Sequence, residues 1–93
     1  MLVATIQLEL SIPWANSLKD KRRAVKSLKD KLGNRFNVSV AEVGDLEIWR
    51  SSVIGVAAVA NDAQFLQSVA QKIVNFVEEF SEANLEDFAI EII

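Results

Sequence analysis

The stretch from Val53 to Ala60, which reads VIGVAAVA, most restricts what this chain can fold into, because it carries no polar side chain. A run this short and this apolar is typical of a central strand that is covered on both faces. We therefore predict that residues 53–60 lie inside a sheet. Small residues such as Gly55 also permit the close approach of a helix or another sheet.

Three other segments alternate apolar and polar side chains, which is the period of a half-buried strand. They are residues 2–12, which end at Pro13, residues 36–43, and the chain from Leu85 onward. Pro13 helps to end the first strand because it has no N–H to donate to a neighbouring strand. The last segment is expected at a sheet edge. The residues predicted to share one face are Phe36, Val38, Val40 and Val43 in the second segment, and Phe88, Ile90 and Ile92 in the last.

The first of two predicted helices runs from about Leu18 to Leu32. Ser17 is a good N-cap, and Asp20 supplies an acid near the positive end of the helix dipole. Gly33 is placed to end the helix in a left-handed conformation. The stem of Lys21 is expected to lie over the core edge while its ammonium reaches solvent. The apolar stripe consists of Leu18, Val25, Leu28 and Leu32.

The second helix is predicted over roughly Ala63 to Phe80, with Asn61 and Asp62 as its cap. Its predicted buried stripe consists of Phe65, Leu66, Val69, Ile73, Phe76, Val77 and Phe80. Strands and helices thus follow the β-α-β-β-α-β order of the split βαβ, or ferredoxin-like, arrangement. Right-handed crossovers then give an α+β two-layer sandwich, with a four-stranded antiparallel sheet in the order 4-1-3-2 and both helices on one face.

Composition narrows the possible chemistry. The 93 residues are predicted to form one domain over residues 1–93, and they include no cysteine, histidine or tyrosine. Disulfides, thiolate and imidazole metal ligands, and histidine bases are therefore absent. No glycine-rich phosphate loop accompanies the acidic residues, so we expect a non-enzymatic protein without metal or cofactor. Because no signal segment or membrane-spanning run is present, a cytoplasmic location without membrane contact is expected.

Charge is strongly segregated along the chain. Residues 17–35 hold eight of the ten basic residues and two acidic ones, whereas the rest of the chain holds eleven acidic residues. The basic residues that project away from the apolar stripe on a helical wheel are Lys19, Arg22, Arg23 and Lys26. This basic face predicts sequence-independent, salt-sensitive contact with phosphate groups. A solvated helix face, or contact with the acidic surface of another subunit, would account for the same pattern.

The predicted topology brings two loops to one end of the sheet. The loop after the first strand carries Pro13 and Trp14, and the loop between the second and third strands carries Trp49 and Arg50. They lie close to the N-terminus of the first helix, whose free N–H groups favour anions, so Arg50 is a further candidate contact. The tryptophans are candidates for stacking on a base or anchoring a partner, or else they cap the core or lie in a subunit contact. An RNA-recognition motif is excluded, because the central strands carry no aromatic residue.

The sheet face opposite the helices is the third candidate surface. One side of the 53–60 strand must point there, and large apolar patches on soluble monomers are usually covered. We expect a second copy of the chain to cover this face, by sheet packing or edge pairing, in a homodimer or higher homo-oligomer. A small exposed patch of alanine and valine is the alternative.

Several stretches of the sequence resemble a known family. They are SLKDKRRAVKSLKDKL (residues 17–32), RFNVSVAEVGD (residues 35–45) with a tryptophan shortly after, and GVAAVAND (residues 55–62). These are similar to the YlxP-like family of small bacterial proteins, and the resemblance covers nearly the whole chain. It implies a ferredoxin-like fold and supplies no catalytic residues. Many members are encoded beside genes for translation initiation and ribosome maturation, which implies a connection with RNA or the ribosome.

Two functions are therefore predicted. The first is an RNA- or ribosome-associated binding module that uses the basic first helix. The second is a homo-oligomeric module for protein interaction or small-ligand sensing, which uses the open sheet face and the acidic surface.

Overall fold

The order of strands and helices agrees with the sequence patterns. In the computed structural model, which describes all 93 residues, the elements are β1 (Leu2–Ser11), α1 (Leu18–Arg35), β2 (Ser39–Gly44), β3 (Ser51–Ala60), α2 (Ala63–Glu78) and β4 (Asn84–Ile92). The strands form one antiparallel sheet in the order β2-β3-β1-β4, which is the predicted 4-1-3-2 order read from the other edge. The ferredoxin-like α+β fold is therefore confirmed.

Both helices cover one face of the sheet, and the core lies between them and the inner strands. Alternation along β1 and β3 turns Ile6, Leu8 and Ile54 inward, where each is at most 1% exposed. Leu28 of α1 and Ile73 of α2 are completely buried in the same cluster. Strand β3 pairs with β1 on one side and β2 on the other, which confirms its central position.

Helix α1 is longer than its sequence pattern predicts. It continues through Gly33 to Arg35, and the N–H of Phe36 donates to the carbonyl oxygen of Leu32 at 2.9 Å. No glycine has a positive φ, so the predicted left-handed cap at Gly33 is wrong. The extra turn brings Arg35 over the ring of Phe76, a contact with α2 that favours continuing the helix.

Strand β2 begins later than predicted and contains a bulge. It starts at Ser39, and its register with β3 shifts between Glu42 and Gly44, so that Val43 is the extra residue. Glu42, which precedes the bulge, points toward the helices in phase with Val40, while Val43 is 58% exposed. The prediction that Val43 shares the face of Val40 is wrong, because strict alternation already assigns that face to residue 42.

Helix α2 ends at Glu78, two residues earlier than predicted, and its first turn is more exposed than its stripe suggests. Phe65 is 56% exposed, so its predicted burial is wrong. A step of about 100° per residue places Phe65 at the edge of the stripe centred on Leu66 and Ile73. Leu66 makes the core contacts of that turn instead. Neither helix of the structure is long and apolar enough to cross a membrane.

Candidate nucleic-acid interface

Three loops meet at the end of the sheet where α1 begins: the β1–α1, β2–β3 and α2–β4 loops. The N–H of Ile12 donates to the carbonyl oxygen of Arg50 at 2.9 Å, which joins the first two loops. The indole N–H of Trp14 donates to the carbonyl oxygen of Glu82 at 2.7 Å, which joins the first and third. The predicted meeting of the loops that carry Trp14 and Arg50 is therefore observed.

The start of α1 is held by reciprocal capping. The Asp20 N–H donates to the hydroxyl oxygen of Ser17 at 3.1 Å, and the Asn16 N–H donates to the Asp20 carboxylate at 3.0 Å. Ser17 is thus the N-cap, as predicted. Because Asp20 places a negative charge in the first turn, attraction of an anion at this end depends on basic side chains more than on the helix dipole.

All side chains of the basic face of α1 are exposed; the face consists of Lys19, Arg22, Arg23 and Lys26. Lys19 and Arg22 form no ion pair. Arg23 lies 3.8 Å from the carboxylate of Asp20 and is 70% exposed, so this pair neutralises it only weakly. The first two turns of the helix therefore carry three cations that are available to a partner.

Lys26, at the far end of the basic face, is paired. Its ammonium lies 2.8 Å from the carboxylate of Asp30, one helical turn along. The hydrogen bond to Asp30, and then the negative charge of Asp30, raise the pKa of Lys26 above its ordinary value. Asp30 therefore reduces the attraction of this part of the face for a second anion.

Lys21 lies on the opposite side of α1, and its side chain is completely buried. Its ammonium is 2.9 Å from the carboxylate of Glu42. It also donates to three backbone carbonyl oxygens, those of Asp45 at 2.6 Å, Leu46 at 3.1 Å and Ser51 at 3.3 Å. The expectation that the ammonium reaches solvent is wrong, because the β2–β3 loop folds over the helix and supplies acceptors that replace water.

The β2–β3 loop is ordered by its own contacts as well as by Lys21. Asp45 has a φ of 57°, in the left-handed region, and its carbonyl oxygen accepts from the Ile48 N–H at 3.0 Å, which closes a turn. The hydroxyl of Ser51 donates to the carboxylate of Asp45. The tip of the loop is therefore held in one conformation before any partner binds, which lowers the entropic cost of binding.

The loop tip exposes large apolar side chains, and its tryptophan differs from the one in the β1–α1 loop. Leu46, Ile48 and Trp49 are 54, 52 and 51% exposed. Trp49 makes no hydrogen bond, whereas the N–H of Trp14 is bonded and the guanidinium of Arg23 lies over its ring, 5.4 Å from the centroid. The indole rings of Trp14 and Trp49 are not stacked on each other. Trp14 thus links the loops to the basic face, and Trp49 is free for a partner.

Arg50 links the β2–β3 loop to the β1–α1 loop beside the start of α1. Its Nε donates to the carbonyl oxygen of Ala15 at 2.9 Å, and its Nη2 donates to the side-chain oxygen of Asn16 at 3.3 Å. Arg50 forms no ion pair, so its charge remains available to an anion while its side chain is fixed.

The sequence contains a signal for the pair of Lys21 and Glu42, although the predictions above do not include this pair. Lys21 lies one turn from Val25 and two turns from Leu28, on the inward side of α1. Glu42 is in phase with Val40 on the inward side of β2. Opposite charges at inward positions of two neighbouring elements predict a buried ion pair. The carbonyl acceptors of the loop carry no such signal, because their positions depend on the loop conformation.

Comparison with known proteins agrees with the resemblance noted above. A family model described as a protein of unknown function (DUF503) matches residues 3–90. The chain is also 31% identical over 81 residues to a Bacillus subtilis (strain 168) protein described as "Uncharacterized protein YlxP", and the alignment covers 87% of this chain and 88% of that protein. Because the family model matches nearly the whole length of the chain, the chain belongs to the DUF503 family, and it is similar to YlxP.

Proposed function

We propose that this chain is a cytoplasmic, non-enzymatic protein that binds RNA, free or within the ribosome, through the basic face of α1 and the adjacent β2–β3 loop. The observation that carries the proposal is the basic face itself. Lys19, Arg22 and Arg23 lie on the first two turns with exposed side chains, and no acid forms an ion pair with the first two of them. Phosphate groups of an RNA backbone are the partner that such a surface attracts.

The uneven charge of the chain favours binding through this surface alone. The net charge is −3, and eleven of the thirteen acidic residues lie outside residues 17–35. The rest of the surface therefore repels RNA, which fixes the orientation of the bound protein. Contact with phosphates at the basic face positions the protein without reading the base sequence.

Trp49 supports a second kind of contact. Its indole is half exposed on a loop that Lys21 holds from below, and it has no intramolecular hydrogen bond to lose. Stacking of an unpaired base on an aromatic ring contributes roughly 1–3 kcal/mol. Together the two contacts favour RNA in which unpaired bases adjoin a duplex backbone, because phosphates and a free base must both be within reach.

The test is the affinity for a labelled RNA hairpin, measured by fluorescence anisotropy over a range of salt concentrations. One variant neutralises the basic face with Lys19→Gln, Arg22→Gln, Arg23→Gln and Lys26→Gln. A control variant changes the net charge equally on the exposed side of α2, with Gln64→Glu, Gln67→Glu, Ser68→Glu and Gln71→Glu. We expect the first variant to bind at least about tenfold more weakly and with a shallower salt dependence, and the control to bind nearly as the native chain does.

Trp49→Ala separates stacking from charge in the same assay. It is expected to weaken binding to the hairpin loop while leaving the salt dependence unchanged, and to have little effect on a fully paired duplex. The proposal is overturned if the native chain shows no salt-dependent binding, or if the two charge variants bind equally well.

A second candidate function is self-association through the open sheet face. Val43 and Val59 on this face are 58 and 60% exposed. The small residues Gly55 and Ala57 line a shallow depression on the same face. An apolar sheet surface of this kind favours a two-fold dimer. Light scattering after gel filtration is expected to show a dimer that Val43→Lys converts to a monomer. A native chain that stays strictly monomeric at high micromolar concentration excludes this candidate.

A further inference from the structure

A groove separate from the basic face runs between the C-terminal halves of the two helices. Its volume is about 600 Å³, which is within the range of small-ligand pockets. Three basic side chains line it, Lys31 and Arg35 from α1 and Lys72 from α2. The rings of Phe76 and Phe80 form its apolar part.

The two basic residues from α1 lie over aromatic rings at the α2 side of the groove. The guanidinium carbon of Arg35 is 5.4 Å from the centre of the Phe76 ring, and the ammonium of Lys31 is 5.2 Å from the centre of the Phe80 ring. Phe36 meets Phe76 edge to face, with ring centres 6.1 Å apart. These contacts direct both cations toward α2 and away from the basic face, without cancelling their charge.

No acid neutralises the cations of the groove. None of the ion pairs in the structure involves Lys31, Arg35 or Lys72. Glu79 is the one acid among the lining residues, and it is not paired with any of them. The groove therefore has a net positive charge in a concave, partly apolar setting, where salt screens the attraction of an anion less than on a flat surface.

We propose that this groove binds a nucleoside phosphate. Phosphate oxygens contact the ammonium groups of Lys31 and Lys72, neither of which forms an ion pair in the structure. The base stacks on the guanidinium plane of Arg35, whose guanidinium carbon lies 5.4 Å from the centre of the Phe76 ring. A ligand that combines negative charge with a flat apolar body uses both halves of the groove, whereas a bare anion uses only one.

Two polar side chains suit the sugar and the base edge of such a ligand. The side-chain oxygen of Asn75 accepts from Gln71 at 3.0 Å, so the amide N–H groups of Asn75 remain free to donate. The carboxylate of Glu79 makes no hydrogen bond in the structure and is free to accept from hydroxyl groups. The site uses none of the basic-face residues, so it goes beyond the proposed contact with an RNA backbone.

The nucleoside phosphate has two possible sources, a free nucleotide or the terminal nucleotide of an RNA chain. Isothermal titration calorimetry with ADP tests the first, and titration with a short 5′-phosphorylated RNA oligonucleotide tests the second. Pyrophosphate serves as the comparison anion without a base. The basic-face variant with Lys19→Gln, Arg22→Gln, Arg23→Gln and Lys26→Gln serves as the host, so that the RNA-binding surface does not contribute to the signal.

Two substitutions assign the site. Lys72→Gln removes a charge from an exposed side chain that makes no hydrogen bond or ion pair, and it is expected to weaken ADP and pyrophosphate alike, by about tenfold. Arg35→Lys keeps the charge but removes the flat guanidinium, and it is expected to weaken ADP about fivefold while leaving pyrophosphate unchanged. Circular dichroism verifies that both variants are folded. If Arg35→Lys does not fold, the result for Lys72→Gln alone decides the assignment.

Saturable binding of ADP to the host chain, with the stated response to the substitutions, supports a site for free nucleotides. If the phosphorylated RNA binds and responds to the substitutions in this way while ADP does not bind, the site is one for the end of an RNA chain. The proposal is overturned if neither probe binds, if Lys72→Gln changes neither affinity, or if pyrophosphate binds as tightly as ADP. Because the host lacks the basic face, these results do not depend on whether the RNA-backbone proposal is correct.

Discussion

The two helices cover the same face of the sheet but carry very different side chains. Ten of the 18 residues of α1 are charged, against two of the 16 residues of α2. Helix α2 buries apolar side chains only, whereas α1 buries Lys21 among its apolar residues. The fold requires of each helix only an inward apolar stripe, so the outward side of each is free to vary.

Under the proposals above, α1 combines structural and binding roles, whereas α2 mainly stabilises the core. On the inward side of α1, Lys21 holds the β2–β3 loop, and on the outward side the basic face is available to phosphates. On the side toward α2, Lys31 and Arg35 line the groove. Helix α2 contributes one cation, Lys72, to any of these surfaces. Substitutions on the two helices should therefore separate stability from binding.

The largest effect is expected from Lys21→Met on the inward side of α1. Removing the ammonium leaves the Glu42 carboxylate with the Ser52 hydroxyl as its donor and no cation beside it. It also removes the Lys21 donor from the carbonyl oxygens of Asp45, Leu46 and Ser51, and should lower the free energy of unfolding by about 3–5 kcal/mol. Urea denaturation measures the change. Adding Glu42→Leu to the same chain should recover part of the loss, because no unpaired charge then remains buried. A loss below about 1 kcal/mol would mean that water solvates Lys21 as it does a surface lysine.

A core deletion in α2 is expected to cost somewhat less and to leave binding intact. Ile73→Ala creates a cavity at a completely buried position and should lower the free energy of unfolding by about 3 kcal/mol. RNA affinity, measured at a temperature where the variant is folded, should equal that of the native chain. Leu28→Ala is the matched deletion on α1 and should cost a similar amount. A loss of RNA binding by the folded Ile73→Ala chain would contradict the division of roles.

The N-caps provide a smaller and more local comparison. Ser17→Ala and Asp62→Ala each remove a side-chain acceptor from the first turn of a helix, and each should cost about 1 kcal/mol in denaturant unfolding. Ser17→Ala should cost the more, because its hydrogen bond to the Asp20 N–H is the shorter, at 3.1 Å against 3.3 Å for Asp62 and the Gln64 N–H. Equal costs would show that the reciprocal bond from Asn16 already holds the start of α1.

The smallest effect is expected from Asp30→Asn at the end of the basic face. Losing the acid frees Lys26 for a phosphate, so RNA should bind a few-fold more tightly in the anisotropy assay. Asp30 raises the pKa of Lys26 in the folded chain, so the stabilising contribution of this pair is present at neutral pH. It should disappear as the pH rises through that raised pKa. An unchanged RNA affinity would place the bound phosphates on the first two turns alone.

Features that depend on neighbouring residues are predicted well from the sequence. Ser17 as N-cap, the inward alternation of β1 and the central position of β3 all follow from short patterns. Predictions fail where a distant element competes. Gly33 suits a left-handed cap, but contacts of Arg35 with α2 extend the helix past it. Phe65 matches the apolar stripe of α2, but the core is already filled by Leu66 at that turn.

The candidate surfaces divide in the same way. Periodicity places the four cations of the basic face in solvent, because a helix of known phase has only one side away from its apolar stripe. Periodicity does not place Lys31 and Arg35 in a groove, because the rings that they contact, Phe80 just after α2 and Phe76 within it, lie more than forty residues further along the chain.

Short-range regularities were enough to establish the six elements, their order and the strand that lies at the centre. The burial of Lys21 arises from packing, since a charge can leave water only where a carboxylate and carbonyl oxygens converge within hydrogen-bond distance. Those acceptors come from β2, the following loop and β3, and they surround one ammonium only after the sheet and the first helix have packed together.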